Sequence, residues 1–236
     1  MQRVTLGRRL RRSRPRINGM RDMAPLEVSR TYDATMRAWK SRYRRAARLV
    51  AHGSHEATSV LDVGCGPGQL LLQLARALPD AMVTGVDLGD EMLLIAKERV
   101  RASGLGDRIT VCPGDAYSLP FPDATFDVIV TTQFLHMLDE PHRFITEALR
   151  VLHPQGCLYT FDQRRDMNAV AYVAMWSTTA LIRLMRLPLD GMGPVTDACY
   201  RPDELQAVLT ESGFENVEVE AGPIRLEARA CRPDRA

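Results

Sequence analysis

Three glycines in five residues, Gly64, Gly66 and Gly68, follow directly on the apolar run Val60-Leu61-Asp62-Val63 and lead into Gln69-Leu70-Leu71-Leu72. The pattern reads as a buried strand, a tight turn and the first turn of a helix. Glycine lacks Cβ, so the turn can adopt strained dihedrals and let a ligand lie against main-chain atoms. A helix N-terminus facing that ligand offers N–H groups and the positive end of its dipole. One acidic residue, Asp87, ends the next apolar run, Met82 to Val86. A carboxylate at that spacing suits the two hydroxyls of a ribose. The chain therefore carries the elements of a nucleoside-binding site.

Strand and helix patterns then alternate. Ser59–Val63 leads to a helix over 69–78, Met82–Asp87 to a helix over 90–102, and a strand over 109–112 to the Pro-punctuated stretch Leu119-Pro120-Phe121-Pro122. Phe126–Thr132 precedes a helix over 141–152, and a strand over 157–161 follows. Apolar strands separated by amphipathic helices predict a parallel sheet covered on both faces. The tail differs, with a helix over 202–212 and two strands, 217–220 and 224–230, joined at Gly222-Pro223. So short a connection requires an antiparallel hairpin. The fold class is α/β: a Rossmann-like sheet of seven strands, mostly parallel, with an antiparallel C-terminal hairpin and helices on both faces. Ahead of the sheet, Tyr32, Met36, Trp39, Tyr43, Ala47 and Val50 recur at helical spacing.

Charge is unevenly spread. Residues 1–19 hold seven Arg and no acid, whereas residues 20–236 carry 24 basic against 29 acidic groups. The division expected is a basic, disordered tail over 1–25 and one domain over 26–236, since like-charge blocks do not pack. An acidic body opposes a nucleic-acid surface. The Arg run could bind nucleic acid or an anionic membrane, but it lacks interleaved aromatics and the apolar h-region of a signal peptide, and a disordered tail is the reading preferred. No run reaches the ~18 apolar residues of a membrane span, so no stable membrane insertion is expected. Cys65, Cys112, Cys157, Cys199 and Cys231 are scattered and odd in number. That usage fits a reduced, cytoplasmic protein without a disulfide framework or zinc site.

A dinucleotide fold places a third glycine inside the helix, in the pattern G-x-G-x-x-G. Gln69 occupies that position here, and the spacing is G-x-G-x-G instead. Asp62-Val63-Gly64-Cys65-Gly66-Pro67-Gly68 resembles the first motif of class I S-adenosylmethionine (SAM) dependent methyltransferases. Further motifs follow in register: Gly85-Val86-Asp87, Gly114-Asp115-Ala116, Phe126-Asp127-Val128-Ile129-Val130 and the run from Leu149 to Leu158. The resemblance covers about residues 30 to 230. It implies SAM as cofactor, with Asp62 near its ammonium and Gly64, Cys65, Gly66 and Gly68 against its amino-acid part. It also implies Asp87 and Leu88 at the ribose, Asp115 and the Ala116 N–H at the adenine, and Thr131 at the strand edge. Pro-Gly-Asp is also good turn chemistry, so Asp115 has a local role available.

The acceptor is expected beyond the fourth strand, where Thr131-Thr132-Gln133-Phe134-Leu135-His136 leaves the sheet. Imidazole exchanges protons readily near neutrality, which makes His136 the candidate base; a hydrogen bond within the loop is its other reading. Tyr32-Asp33 resembles the Tyr-Asp of quinone-biosynthesis C-methyltransferases, and Tyr32 is a second candidate catalytic residue. Metal dependence is not expected, because Thr131-Thr132 stands where cation-dependent relatives carry an acidic ligand. Gln163 follows Asp162 where they carry an Asp-Asn pair, so Asp162 alone does not supply the clustered oxygens. An insertion over about 164–200, with Met167, Tyr172, Met175, Trp176, Met185 and Met192, is expected to close over the acceptor as an apolar lid. The reading favours methyl transfer, slightly towards oxygen, to an apolar or aromatic small molecule, with a specialised metabolite as the type. C-methylation of a quinone-type ring is the alternative, and a SAM-binding protein that does not transfer methyl is the alternative of another class. A homodimer is compatible with all three.

Overall fold

The computed structural model describes residue 33, residues 40–167, 169–171 and 173, and residues 198–234. Helix α1 (Lys40–Gly53) precedes β1 (Ser59–Val63), α2 (Gln69–Ala77), β2 (Met82–Asp87), α3 (Asp90–Ser103) and β3 (Ile109–Pro113). Then come β4 (Phe126–Thr132), a 3-10 turn (Leu135–Met137), α4 (Pro141–Val151), β5 (Leu152–Gln163), α5 (Pro202–Glu211), β6 (Glu215–Ala221) and β7 (Arg225–Cys231). The seven strands form one sheet in the order β3-β2-β1-β4-β5-β7-β6. The first five run parallel, and β7 lies antiparallel to both β5 and β6.

Alternation along the strands explains why helices cover both faces. Leu61, Val63 and Ile129 point into a core shared with Phe144, Leu205 and Leu209 of α4 and α5. Val60, Val128 and Val130 point the other way, against Val50 of α1 and Leu71 and Leu74 of α2. A strand buried on both sides has no polar face, which is the continuous apolar run seen in the sequence. The chain builds β2 and β3 to one side of β1, then crosses to β4 on the other. That reversal opens a crevice at the carboxyl ends of β1 and β4.

Two expectations change. β5 runs from Leu152 rather than beginning at Cys157, because Phe126 pairs with Leu152 before a register shift that absorbs Pro154-Gln155-Gly156. More consequentially, Cys157 and Cys231 form a disulfide. They are 74 residues apart in sequence, but the antiparallel β5–β7 register sets them directly opposite, with Cα atoms 4.0 Å apart. Spacing could not reveal a pair made by strand pairing, and the cysteine argument for a reducing compartment loses its basis. Cys231→Ser should lower unfolding free energy by about 2–4 kcal/mol, because the bridge closes a long loop. Denaturant titration with and without reductant checks this, and equal midpoints would refute it.

Of the acceptor-side segments, Tyr32, Trp39 and most of the 164–200 insertion lie outside the described residues. Among the described residues, no helix is long and apolar enough to cross a membrane.

Candidate functional site

The glycine turn is held to β2 by its own backbone. The N–H groups of Gly64 and Cys65 both donate to the Val86 carbonyl, extending the β1–β2 pairing past the end of β1. Gly64, Gly66 and Gly68 all have positive φ, at 71°, 50° and 74°. A Cβ on Gly64 would collide with the Phe134 ring, and one on Gly68 would press on Ala96 at 3.1 Å. One on Gly66 would meet no protein atom within 4 Å. The turn is thus closed at both ends and open in the middle, where a ligand can lie against the backbone. Gly64→Ala combines a disfavoured dihedral with a clash against Phe134 and should cost about 1–3 kcal/mol. Thermal melts of the free protein measure that loss, and an unchanged midpoint would contradict it.

Asp87 closes the turn from the other side. One carboxylate oxygen accepts from the Gly66 N–H at 2.7 Å, and the other accepts from Gly89 N–H at 2.9 Å. Burial raises its pKa, while the N–H donors of Gly89, Gly66 and Leu88 oppose that rise. Asp62 is different. It is 1% exposed, and neither carboxylate oxygen has a hydrogen-bond partner. Burial, reinforced by the nearby Asp87, pushes it up to about 8. A buried carboxyl left without donors is costly, and such groups are normally paired. A donor or a cation, from an ordered water or a ligand, would satisfy it. Burial and the Asp62 and Asp87 charges also push the Cys65 thiol up, so it packs rather than reacts.

Asp115 is exposed, and its carboxylate accepts from the Tyr117 N–H at 2.9 Å, so it makes the local turn its sequence allows. The second carboxylate oxygen and the half-buried Ala116 remain at the end of β3, on the same sheet edge. Thr131 of β4 is fully buried, and its register partner is Thr160 of β5. Both hydroxyls lack a protein partner.

His136 and Asp162 were separate in the sequence reading; the structure joins them. β4 is followed by Gln133, whose φ of 52° turns the chain into the 3-10 segment carrying His136. There His136 Nδ1 lies 2.5 Å from Asp162 Oδ1, near the carboxyl end of β5. The pair is almost closed to solvent, at 7% and 4% exposure. An ionised carboxylate only accepts, so Nδ1 carries the proton and Nε2 keeps the lone pair. Cys199 lies alongside, with the three ligand-type atoms all within 4.8 Å of one another. Two tetrahedral ligands of one ion stand roughly 3.3 Å apart at bond lengths near 2 Å. At 2.5 Å the imidazole N–H instead donates directly to the carboxylate, and the arrangement is that of a dyad.

A second network was also unforeseen. Asp33, 2% exposed, accepts from Arg99 Nη2 at 2.6 and 2.7 Å and from Gln69 Nε2 at 2.9 Å. Arg99 donates its other amino group to the Pro67 carbonyl inside the glycine turn. The residue beside Tyr32 is therefore tied to the turn and to the start of α2. Nothing in the spacing of Asp33 and Arg99 signals it.

A cleft runs outward from the ends of β4 and β5. Thr132, Gln133, Phe161 and Asp162 form its floor, and Tyr43 of α1 stands on its wall. Of the other histidines, His52, His55 and His142 are exposed and His153 is half-buried.

A doubly wound sheet with an open glycine turn, an unpartnered buried carboxylate and an acid at the end of β2 defines a nucleoside-binding α/β protein. The comparisons with known proteins narrow this. Residues 61–160 match the family described as "Methyltransferase domain". Demethylmenaquinone methyltransferase of Symbiobacterium thermophilum is 33% identical over 66% of this chain and 67% of its own length. Phthiotriol/phenolphthiotriol dimycocerosates methyltransferase of Mycobacterium tuberculosis is 36% identical over 70% of this chain, which spans 58% of that protein. The crystal structure of a SAM dependent methyltransferase from Aquifex aeolicus superposes with a TM-score of 0.59 at 26% identity, covering 74% of this chain and 81% of that one. The chain belongs to the class I SAM-dependent methyltransferases, and SAM is its cofactor.

The residues present fit that cofactor. An orphaned, buried Asp62 suits an ammonium group, the open middle of the turn has room for an amino-acid chain, and Asp87 stands beside that opening on the Gly66 N–H.

Proposed function

We propose that the protein methylates a hydroxyl group of an apolar or aromatic small molecule, with His136 as the general base. The observation that carries this is the 2.5 Å contact between His136 and Asp162 at the sheet edge beyond the cofactor turn. SAM supplies an electrophilic methyl group on a sulfonium that leaves as a neutral thioether. The chain supplies the rest. Asp62 would bind the ammonium, Gly64, Cys65, Gly66 and Gly68 would admit the amino-acid part, and Asp87 with Leu88 would receive the ribose. Asp115 and Ala116 would meet the adenine, and Thr131 would line the edge towards the transferred group.

As the new carbon–oxygen bond forms and the carbon–sulfur bond breaks, the acceptor hydroxyl must lose its proton. His136 Nε2 would take it, and Asp162 would stabilise the imidazolium and hold the ring in position. Neither step needs a metal ion. Tyr32, named from the sequence alone, is proposed as a second catalytic residue, because an aromatic face is a favourable neighbour for a cationic sulfonium.

A second reading is methylation at carbon of a quinol-type ring, favoured by the relative that acts as a demethylmenaquinone methyltransferase. It uses the same base, because the ring becomes nucleophilic when its hydroxyl is ionised. Incubation with methyl-labelled SAM and a panel of phenols, catechols and quinols separates the readings. Label in a methoxy signal supports the first and label in a ring methyl supports the second. Tight SAM binding with no transfer to any hydroxylated aromatic would overturn both and leave a SAM-binding protein without methyl transfer.

A further inference from the structure

The cleft opens onto a surface far more basic than the rest of the protein. Lys40, Arg44, Arg48 and His52 recur every fourth residue along α1, all four exposed and on one stripe. The helix contains no acid. Neighbouring like charges at this spacing weaken a helix rather than support it, so the stripe does not serve the stability of α1. Beside it, Arg42, Arg45 and Arg225 line both the acceptor cleft and an adjoining surface groove. Among the described residues, the acids at hand there are few. Glu227 accepts both hydrogen bonds of Arg45 at 3.0 and 2.9 Å and lies 4.0 Å from Arg225, and Glu220 acts on Arg45 from further off. Burial and the facing Arg225 lower the Arg42 pKa.

The asymmetry extends through the chain. Residues 1–50 contain 15 Lys and Arg against three acids, while residues 51–236 contain 16 against 26. An anionic plane would attract the face presented by α1, whose five Lys and Arg face no acid of the same helix, so it would orient the protein as well as bind it.

We propose that the basic stripe of α1 docks the protein on an anionic lipid surface, with the mouth of the acceptor cleft turned towards the bilayer. Docking adds to the methyl-transfer reading and rests on it only for its purpose: an apolar acceptor dissolved in a membrane would reach Asp162 without crossing water. The contact is peripheral and electrostatic. Each Lys or Arg near such a surface contributes about fivefold in affinity, and the attraction is screened by salt. Nucleic acid is the less favoured partner, because His52 is the one ring on the stripe and successive bases would need several on which to stack.

Flotation of the full chain with vesicles of phosphatidylglycerol and phosphatidylcholine, against phosphatidylcholine alone, tests this. Binding to the anionic vesicles only, falling as salt rises from about 50 to 300 mM, is expected. The variant Arg44→Glu with Arg48→Glu should bind at least about 30-fold more weakly while keeping the wild-type melting temperature and SAM affinity. A second full-length variant, with Arg8, Arg9, Arg11 and Arg12 each changed to Gln, should keep most of its binding. Undiminished binding of the first variant, or loss confined to the second, would overturn the assignment to α1. So would single-stranded RNA that displaces the protein from vesicles at equal charge concentration. SAM affinity is read in the same samples, so failure of docking is distinguishable from failure of the methyltransferase reading.

Discussion

Asp62→Asn is expected to raise the melting temperature of the free protein while weakening SAM binding by about 100-fold or more. Both effects come from one carboxyl, buried with neither oxygen hydrogen-bonded. The unfolded chain loses this proton near the ordinary value of 3.8, whereas the folded chain holds it up to about 8. Between those limits the folded state carries a proton that the unfolded state does not, so stability falls as pH rises, and the loss is complete above 8. Asparagine removes that slope and the cost of ionisation in a dry site. It also removes the buried carboxylate proposed to meet the ligand's ammonium. Below pH 8 the wild type must release a proton when that cation arrives, so its affinity should climb with pH up to about 8. Melting curves from pH 5 to 9 and calorimetry in two buffers of different ionisation heat measure both effects. Parallel melting profiles for the two proteins, or binding of SAM without proton release at pH 7, would defeat the account.

Asp162→Asn should reduce turnover by about 10²–10⁴-fold and leave SAM affinity unchanged. An amide has the shape of the carboxylate but can present its NH2 to His136 Nδ1. The ring proton would then sit on Nε2, where the base needs a lone pair. His136→Ala should lose a similar factor, and the double variant little more, because the two side chains act as one unit. A purely structural role predicts something else: lower melting temperature and slower turnover for every acceptor alike. An acceptor phenol acidified by nitro groups ionises without help, so the base reading predicts that it narrows the gap between variant and wild type. Wild-type turnover by Asp162→Asn, or an equal deficit for acidified and ordinary phenols, would remove the base.

Much of the cofactor side was legible because each part of it is local. The glycine turn needs only consecutive residues of the right conformational freedom, and Asp87 is placed by the strand it ends. Strand bounds such as Met82–Asp87 and Phe126–Thr132 were likewise readable, since runs buried on both faces stand out against amphipathic helices. The lengthened β5 was not. Pro154-Gln155-Gly156 reads locally as a break, and only pairing with β4 and β7 carries the strand through it.

The acceptor side was legible in part. His136 could be named from its place after β4, but its alternatives could not be weighed without Asp162, 26 residues further on. Asp162 itself had been considered only as a metal ligand and set aside for lack of company. Its company is an imidazole delivered by the parallel register of β4 and β5. Asp33 was read through its neighbour Tyr32, whereas its contacts are with Arg99 and Gln69 on two other helices.

By itself, then, the sequence determined the fold class, the antiparallel C-terminal hairpin and the cofactor, because periodicity and turn chemistry act over a few residues. The tertiary structure alone decided the His136–Asp162 dyad, the Asp33–Arg99 clamp on the glycine turn and the Cys157–Cys231 bridge. Each joins residues between 26 and 74 positions apart. Strand register and helix docking choose such partners, and no local preference of either residue records the choice.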